Sequence, residues 1–207
     1  LVALKAHCVV LASFKKFNEA LDVVERILNI DKNSYGYTVA KIDILLKLNL
    51  NAKALEYIDE VLSRNFFKDN ELVHILSYKV KLLLNSQEHE KALTECNKIL
   101  AIDKNNENAM IGKGVALNEL RKFPECLDCC NELLRIDENS IDALNISSVI
   151  LRELGKISES IENSKRMLAI DENVPTALYN LGFTLTEQKK YSEALKYINR
   201  FFEVKKT

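Results

Sequence analysis

The sequence is poor in the residues that build turns. It has five glycines, two prolines and no tryptophan among 207 residues. A fold rich in hairpins or irregular loops needs many more glycines and prolines at its turns. The scarcity therefore excludes a β-rich fold and predicts an all-helical protein with short connections. A hydrophobic content of 47% is enough for a substantial core.

An excess of one charge and long apolar runs are also missing. The formal net charge is -1, so no overall attraction to nucleic acid is expected. No apolar run reaches the length of about 18 residues that a membrane helix needs, and no secretory signal is visible. The many thiols indicate a reducing compartment. We expect a soluble cytoplasmic protein with neither nucleic acid nor membrane as a partner.

What the sequence does contain is a repeat. The pattern Ile-Asp-x-Asn begins at Ile30, Ile102, Ile136 and Ile170, and the last three copies are 34 residues apart. A fixed step of this size is typical of solenoids, in which each repeat packs only against its neighbours. The repeats predicted from it form a single domain and are 1–34, 35–72, 73–106, 107–140, 141–174 and 175–207. The second is longer by four residues, near residues 65–70.

The repeats align at helical spacing. Position eleven is always leucine, position twenty is always small, and positions twenty-seven and twenty-eight are large and apolar. The leucines are Leu11, Leu45, Leu83, Leu117, Leu151 and Leu185, and the small residues are Ala20, Ala54, Ala92, Cys126, Ser160 and Ala194. Each repeat is thus predicted to be two helices packed antiparallel across a tight turn.

Polar residues and prolines mark the helix ends. Asn18, Pro124, Ser158 and Ser192 stand where second helices should begin, and each predicts a capping oxygen or a first-turn proline there. The Asp and Asn of the Ile-Asp-x-Asn pattern are expected in the turns between repeats.

These columns resemble the tetratricopeptide repeat family over essentially the whole chain. The last repeat carries the family's residues in phase: Leu178, Leu181, Gly182, Leu185, Tyr191, Ala194 and Phe201. The chain departs from the family in lacking tryptophan and in placing Lys104, Glu138 and Glu172 where proline is common. The resemblance implies an all-α, right-handed α-α superhelix, a solenoid of six helix-turn-helix repeats.

The resemblance also implies a binding surface, because in this family the first helices line a concave groove through positions two, five, nine and twelve. The predicted groove residues are Val39, Asp43, Ser77, Lys81, Asn108, Ile111, Val115, Asn118, Asn145, Val149, Tyr179 and Phe183. We expect Val115, Val149, Tyr179 and Phe183 to anchor a partner, and the asparagines to bond its backbone. The alternative is that some of these residues pack between neighbouring first helices.

The residues argue against two specialised functions of the family. Co-chaperones that hold chaperone tails use a Lys and an Asn four apart in one first helix, but here Lys5 is followed by Val9. Some peptide-reading solenoids carry an asparagine ladder at position six, where only Asn180 fits.

Neither catalysis nor metal binding is predicted, and no cofactor. A zinc site needs four converging ligands, whereas four of the five cysteines fall on small or apolar core columns. Cys129 alone is expected to be exposed. The histidines form no set, and a solenoid of this kind lacks an enclosed cavity.

The function predicted from the sequence is a non-enzymatic scaffold that binds a peptide or helix of a partner protein in the groove. One alternative is a regulatory or substrate-recruiting segment of a larger enzyme, since the chain reads as a piece of a longer protein. Another is self-association through the last repeat, where we expect Ile198, Phe201, Phe202 and Val204 to be uncovered.

Overall fold

The structure is a computed structural model that describes residues 2–206, except for the side chains at positions 2, 3 and 5. Within this range it contains twelve α-helices and no strand. The helices are α1 (Val2–Ser13), α2 (Phe17–Ile30), α3 (Tyr35–Lys47), α4 (Asn51–Ser63), α5 (Asp69–Asn85), α6 (His89–Ile102), α7 (Glu107–Glu119), α8 (Phe123–Ile136), α9 (Ile141–Glu153), α10 (Ile157–Ile170), α11 (Pro175–Glu187) and α12 (Tyr191–Val204). The odd-numbered helices are the first helices of the repeats.

The chain divides into two compact units. The N-terminal unit, Leu1–Ser86, contains α1 to α5, and the C-terminal unit, Gln87–Thr207, contains α6 to α12. Within each unit every helix packs against the next. In the C-terminal unit α9 also packs against both α7 and α11. Three first helices therefore lie side by side there and form one continuous surface.

The core consists of residues at the repeat positions that the sequence predicts to be buried. All six leucines at position eleven are buried, and so are all six small residues at position twenty. The small residues let paired helices approach closely. α11 and α12 also approach closely at Gly182, where an added Cβ would lie 2.6 Å from Cγ1 of Ile198. The structure confirms the helix-turn-helix prediction.

The turn inside each repeat uses a left-handed residue. The six are Lys15, Asn49, Gln87, Arg121, Gly155 and Lys189, with φ between 56° and 75°. This conformation favours glycine, so five of the six turns carry a residue that is strained there. The next residue but one begins the second helix.

The prediction of capping residues for the second helices is wrong in part. Asn18, Ser158 and Ser192 are second residues of their helices, because each helix begins one residue earlier. The cap position is instead a lysine such as Lys16, whose side chain makes no cap hydrogen bond. Its backbone N–H donates to the carbonyl of Leu11 at 2.9 Å, so the turn is closed by backbone groups. Pro124 does lie in a first turn, as predicted.

The turns between repeats follow the Ile-Asp-x-Asn pattern. In each copy the Asp carboxylate accepts a hydrogen bond from the backbone N–H of the Asn two residues later, at 2.9 to 3.3 Å. This bond holds the chain in an Asx turn before the next first helix. The second repeat lacks the pattern, and its four extra residues lengthen the following helix, α5.

Helix α5 has 17 residues and begins at Asp69, four residues before the predicted boundary at 73. Residues 64–68 form the connection. Helix extension is favoured here because the Glu71 carboxylate accepts a hydrogen bond from the backbone N–H of Lys68 at 3.1 Å. Asp69 and Glu71 also place negative charge at the positive end of the helix.

Candidate functional site: the exposed surface of the first helices

The C-terminal unit presents an apolar strip across α7, α9 and α11. Ile111 and Val115 of α7 and Val149 of α9 are half-buried, whereas Tyr179 and Phe183 of α11 are 51% and 40% exposed. We call these five residues the first-helix strip. Ile111 packs against the core cluster that α7, α8 and α9 share. The two aromatic rings are the members most open to a ligand.

The aromatic rings at one end of the strip are ordered by their own contacts. Tyr179 and Phe183 are one helical turn apart and stack, with ring centroids 6.1 Å apart and an angle of 24° between the planes. Tyr179 also contacts Phe201 of α12, with centroids 5.8 Å apart. Rings held in this way lose little conformational entropy when a ligand covers them.

A cation lies against the same rings. The guanidinium of Arg152, near the end of α9, sits 4.7 Å above the centroid of Phe183. Position twelve was predicted to face the groove, but Arg152 was not singled out by the sequence analysis. Its proximity to Phe183 depends on how α9 and α11 pack, which single-helix periodicity does not specify.

The predicted asparagines are only partly available. The side-chain carbonyl of Asn145 accepts a hydrogen bond from the amide of Asn180 at 3.0 Å, and the amide of Asn118 donates to the Glu119 carboxylate at 3.2 Å. Asn145 therefore keeps its NH₂ group, and Asn118 its carbonyl, for a ligand. Asn108 is exposed.

The N-terminal unit places its predicted site residues on α3 and α5. Asp43 and Lys81 are exposed, and Val39 and Ser77 are half-buried. The Ser77 hydroxyl already donates to the backbone carbonyl of Val73 at 2.8 Å. This surface is polar, in contrast to the strip of the C-terminal unit. Lys5, which was used above to argue against a chaperone-tail site, has its side chain outside the described residues.

An aromatic cluster on α3 and α5 was not found from the sequence. The Tyr78 hydroxyl donates to the Asp43 carboxylate at 2.7 Å. Burial, followed by this hydrogen bond, raises the pKa of Tyr78 to about 12. His74 packs against Tyr78 at 5.1 Å between centroids and hydrogen-bonds to the hydroxyl of Tyr35. The Tyr78–Asp43 and His74–Tyr35 pairs each join two neighbouring repeats, so no single column revealed them.

The cysteines are structural. All five are buried, so the prediction that Cys129 is exposed is wrong: it is 4% exposed. Its helix α8 turns that position toward α7, where the Cys129 thiol lies 3.4 Å from the Met110 carbonyl. Burial raises the thiol pKa of Cys96 to about 12 and that of Cys129 to about 11. Cys96 and Cys129 are thus held as protonated thiols, which are poor nucleophiles and poor metal ligands, whereas a hydrogen bond with Cys130 lowers the thiol pKa of Cys126.

The described residues contain no group of three or more His, Cys, Asp or Glu side chains placed to hold a metal ion. A surface cavity of about 410 Å³ lies between α6, α7 and α8, with Lys113, Glu125, Asp128 and Glu132 among its lining residues. None of the predicted groove residues lines it. Among the helices of residues 2–206, none combines the length and apolarity needed to cross a bilayer.

Solved structures share this fold. A tetratricopeptide repeat protein from Parabacteroides merdae aligns with a TM-score of 0.84 over 97% of this chain and 78% of its own, at 16% identity. MamA from Desulfovibrio magneticus aligns with a TM-score of 0.70 over 84% and 96%, also at 16% identity. YrrB, described as a repeat protein of this type with an unusual peptide-binding site, gives 0.64 over 87% and 91%, at 16% identity.

These likenesses confirm the predicted fold class, an all-α solenoid of helix pairs. No curated protein matches the sequence. A family model does match, and it is described as Psidin, N-terminal TPR repeats region, over residues 78–194. Because the match covers more than half of the 207 residues, the chain belongs to this family of tetratricopeptide repeat proteins.

Proposed function

We propose that this chain is a non-enzymatic interaction module, whose first-helix strip binds a peptide or helix from a partner protein. The observation that carries the proposal is the exposure of Tyr179 and Phe183 on a surface where neighbouring first helices pack into one face. Two stacked aromatic side chains on a rigid helix offer a contiguous apolar contact, and aromatic anchors dominate the energetics of protein interfaces.

The surroundings of the strip fit an extended ligand. The aliphatic residues Ile111, Val115 and Val149 supply apolar contacts, and the amide of Asn145 can donate to a peptide carbonyl. The related fold of YrrB, described as having a peptide-binding site, supports peptide capture as a use of such helix pairs. A catalytic role is not part of the proposal.

The test uses a random short-peptide display library selected on the purified chain, with the affinity of selected peptides measured by fluorescence polarisation. We expect Tyr179→Ala and Phe183→Ala to weaken binding by about tenfold or more each, the usual effect of removing an interface anchor. Both side chains are exposed, so the variants should fold.

The matched control is Tyr191→Ala, which removes a 62% exposed aromatic from α12 of the same unit. It should leave the affinity unchanged. If the selected peptides bind Tyr179→Ala and Phe183→Ala as tightly as the wild type, the first-helix strip is not the binding site. A library that yields no binding peptide would contradict the proposed peptide-binding function.

A second function, self-association through α12, is favoured by one observation. Leu195 and Phe202 are 57% and 56% exposed, whereas the residues at the same two positions in α2, α4, α6, α8 and α10 are buried or half-buried. Ile198, Phe201 and Val204 are half-buried, so the predicted exposure applies to Phe202 alone among those four. Light scattering of the wild type and Phe202→Asp across a concentration series tests this function. Masses that stay identical and monomeric at every concentration would argue against it.

A further inference from the structure

The guanidinium of Arg152 lies against the aromatic end of the first-helix strip. Arg152 is half-buried at the end of α9, and its guanidinium rests on the ring of Phe183. Among the described residues of the chain, no carboxylate forms an ion pair with Arg152. An arginine that is stacked on an aromatic ring presents its planar fork in a fixed direction, which suits a carboxylate.

The nearby acidic residues lie at the ends of the first helices. The three first helices end in Glu119, Glu153 and Glu187, one residue after position twelve. Glu153 pairs with Arg121 at 3.6 Å, and Glu119 accepts the amide of Asn118. These carboxylates therefore line the helix ends beside the strip without neutralising Arg152.

From this arrangement we infer that the strip selects peptides in which a single acidic residue lies next to an apolar or aromatic residue. The apolar side chain covers the stacked rings of Tyr179 and Phe183, and the neighbouring carboxylate accepts hydrogen bonds from the guanidinium of Arg152. A run of acidic residues is disfavoured, because Arg152 pairs with one carboxylate and the exposed carboxylates of Glu119 and Glu187 repel the others. The same repulsion excludes a polyanion such as nucleic acid. This inference rests on the proposed peptide-binding function and specifies its ligand.

The test uses the peptides selected by display on the wild-type chain. We expect Asp or Glu to be enriched beside the aromatic or aliphatic residue. Replacing that acid by its amide should weaken binding about two- to fivefold, the effect of one partly exposed ion pair. Arg152→Gln should lower the wild-type affinity by a similar factor and should abolish the difference between the acid and amide peptides.

Arg152→Glu is the sharper variant. It should invert the preference, so that a peptide with Lys in place of the acid binds better than the acid peptide. Arg135→Glu, on α8, makes the same change in net charge at an exposed site of the same unit and should leave the preference unchanged. Circular dichroism confirms that each variant is helical.

The outcomes separate the two proposals. If Tyr179→Ala and Phe183→Ala abolish binding but Arg152→Glu leaves the acid preference intact, the inference fails and the peptide-binding function stands. An equal loss of preference in Arg135→Glu would attribute the effect to net charge and would also overturn the inference. The absence of any selected peptide overturns both.

Discussion

Gly182 of α11 is the position where one added methyl group should be felt most. An alanine Cβ there would lie 2.6 Å from Cγ1 of Ile198 and 3.6 Å from its backbone nitrogen. Carbon atoms pack at about 3.5 to 4.0 Å, so α12 would have to move by about 1 Å or Ile198 would have to leave its rotamer. Overpacking of this kind costs about 1–3 kcal/mol, against a gain of about 1 kcal/mol in helix propensity. We expect Gly182→Ala to lower the free energy of unfolding by up to about 2 kcal/mol.

Gly36→Ala on α3 is the matched control, because nothing lies within 4 Å of the added Cβ. It should be neutral or stabilise by up to about 1 kcal/mol. Urea denaturation followed by circular dichroism measures both changes. The Ile198→Ala background removes the clashing atom, so Gly182→Ala should become stabilising there, and a double-mutant cycle gives the coupling. Gly182→Ala as stable as the wild type, with no coupling to Ile198, would refute the close approach of α11 and α12.

Three other changes test separate parts of the structure. Gly155→Ala should destabilise by about 1 kcal/mol and Lys189→Gly should stabilise by up to about 1 kcal/mol, because both positions are left-handed; thermal melts in which both changes have the same sign would contradict the assigned turns. Tyr78→Phe removes the hydrogen bond to Asp43 and should cost about 1 kcal/mol at pH 7. The folded pKa of Tyr78, about 12, exceeds its ordinary value of 10.0, so the contribution is complete below pH 10 and is lost as the pH rises toward 12. The difference in stability between wild type and Tyr78→Phe should therefore shrink over that range in alkaline melts, and a constant difference would contradict the raised pKa of Tyr78. The five cysteines should react with a thiol reagent only after unfolding, and rapid labelling of the native chain would contradict their burial.

The core was predictable from the sequence because it depends on residue type at a fixed helical spacing. Leu11 and its equivalents must face the partner helix in every repeat, and the Asx turns need only an Asp and an Asn two residues apart. Neither inference requires knowledge of which helices are neighbours. The columns therefore predicted the helix pairs, and their resemblance to tetratricopeptide repeats predicted how the pairs stack.

Other features depend on contacts between repeats and were missed or misassigned. Cys129 was expected to be exposed, yet α7 covers it. The helix starts at Asn18, Ser158 and Ser192 were misplaced because the capping bonds come from the backbone of a left-handed turn, which the lysines there do not signal. The Tyr78–Asp43 and Arg152–Phe183 contacts each join two first helices, so periodicity within one helix could not show them.

The central claim is that a ligand lies across α7, α9 and α11. Methyl nuclear magnetic resonance of the chain with a display-selected peptide tests it most directly, because Ile111, Val115 and Val149 carry methyl groups on two of these helices and Tyr179 and Phe183 shift nearby signals by ring currents. The account predicts the largest saturable shifts at those three residues, with their loss in Phe183→Ala. Shifts confined to methyl groups of α8 and α10, such as Leu134 and Leu168, would contradict it.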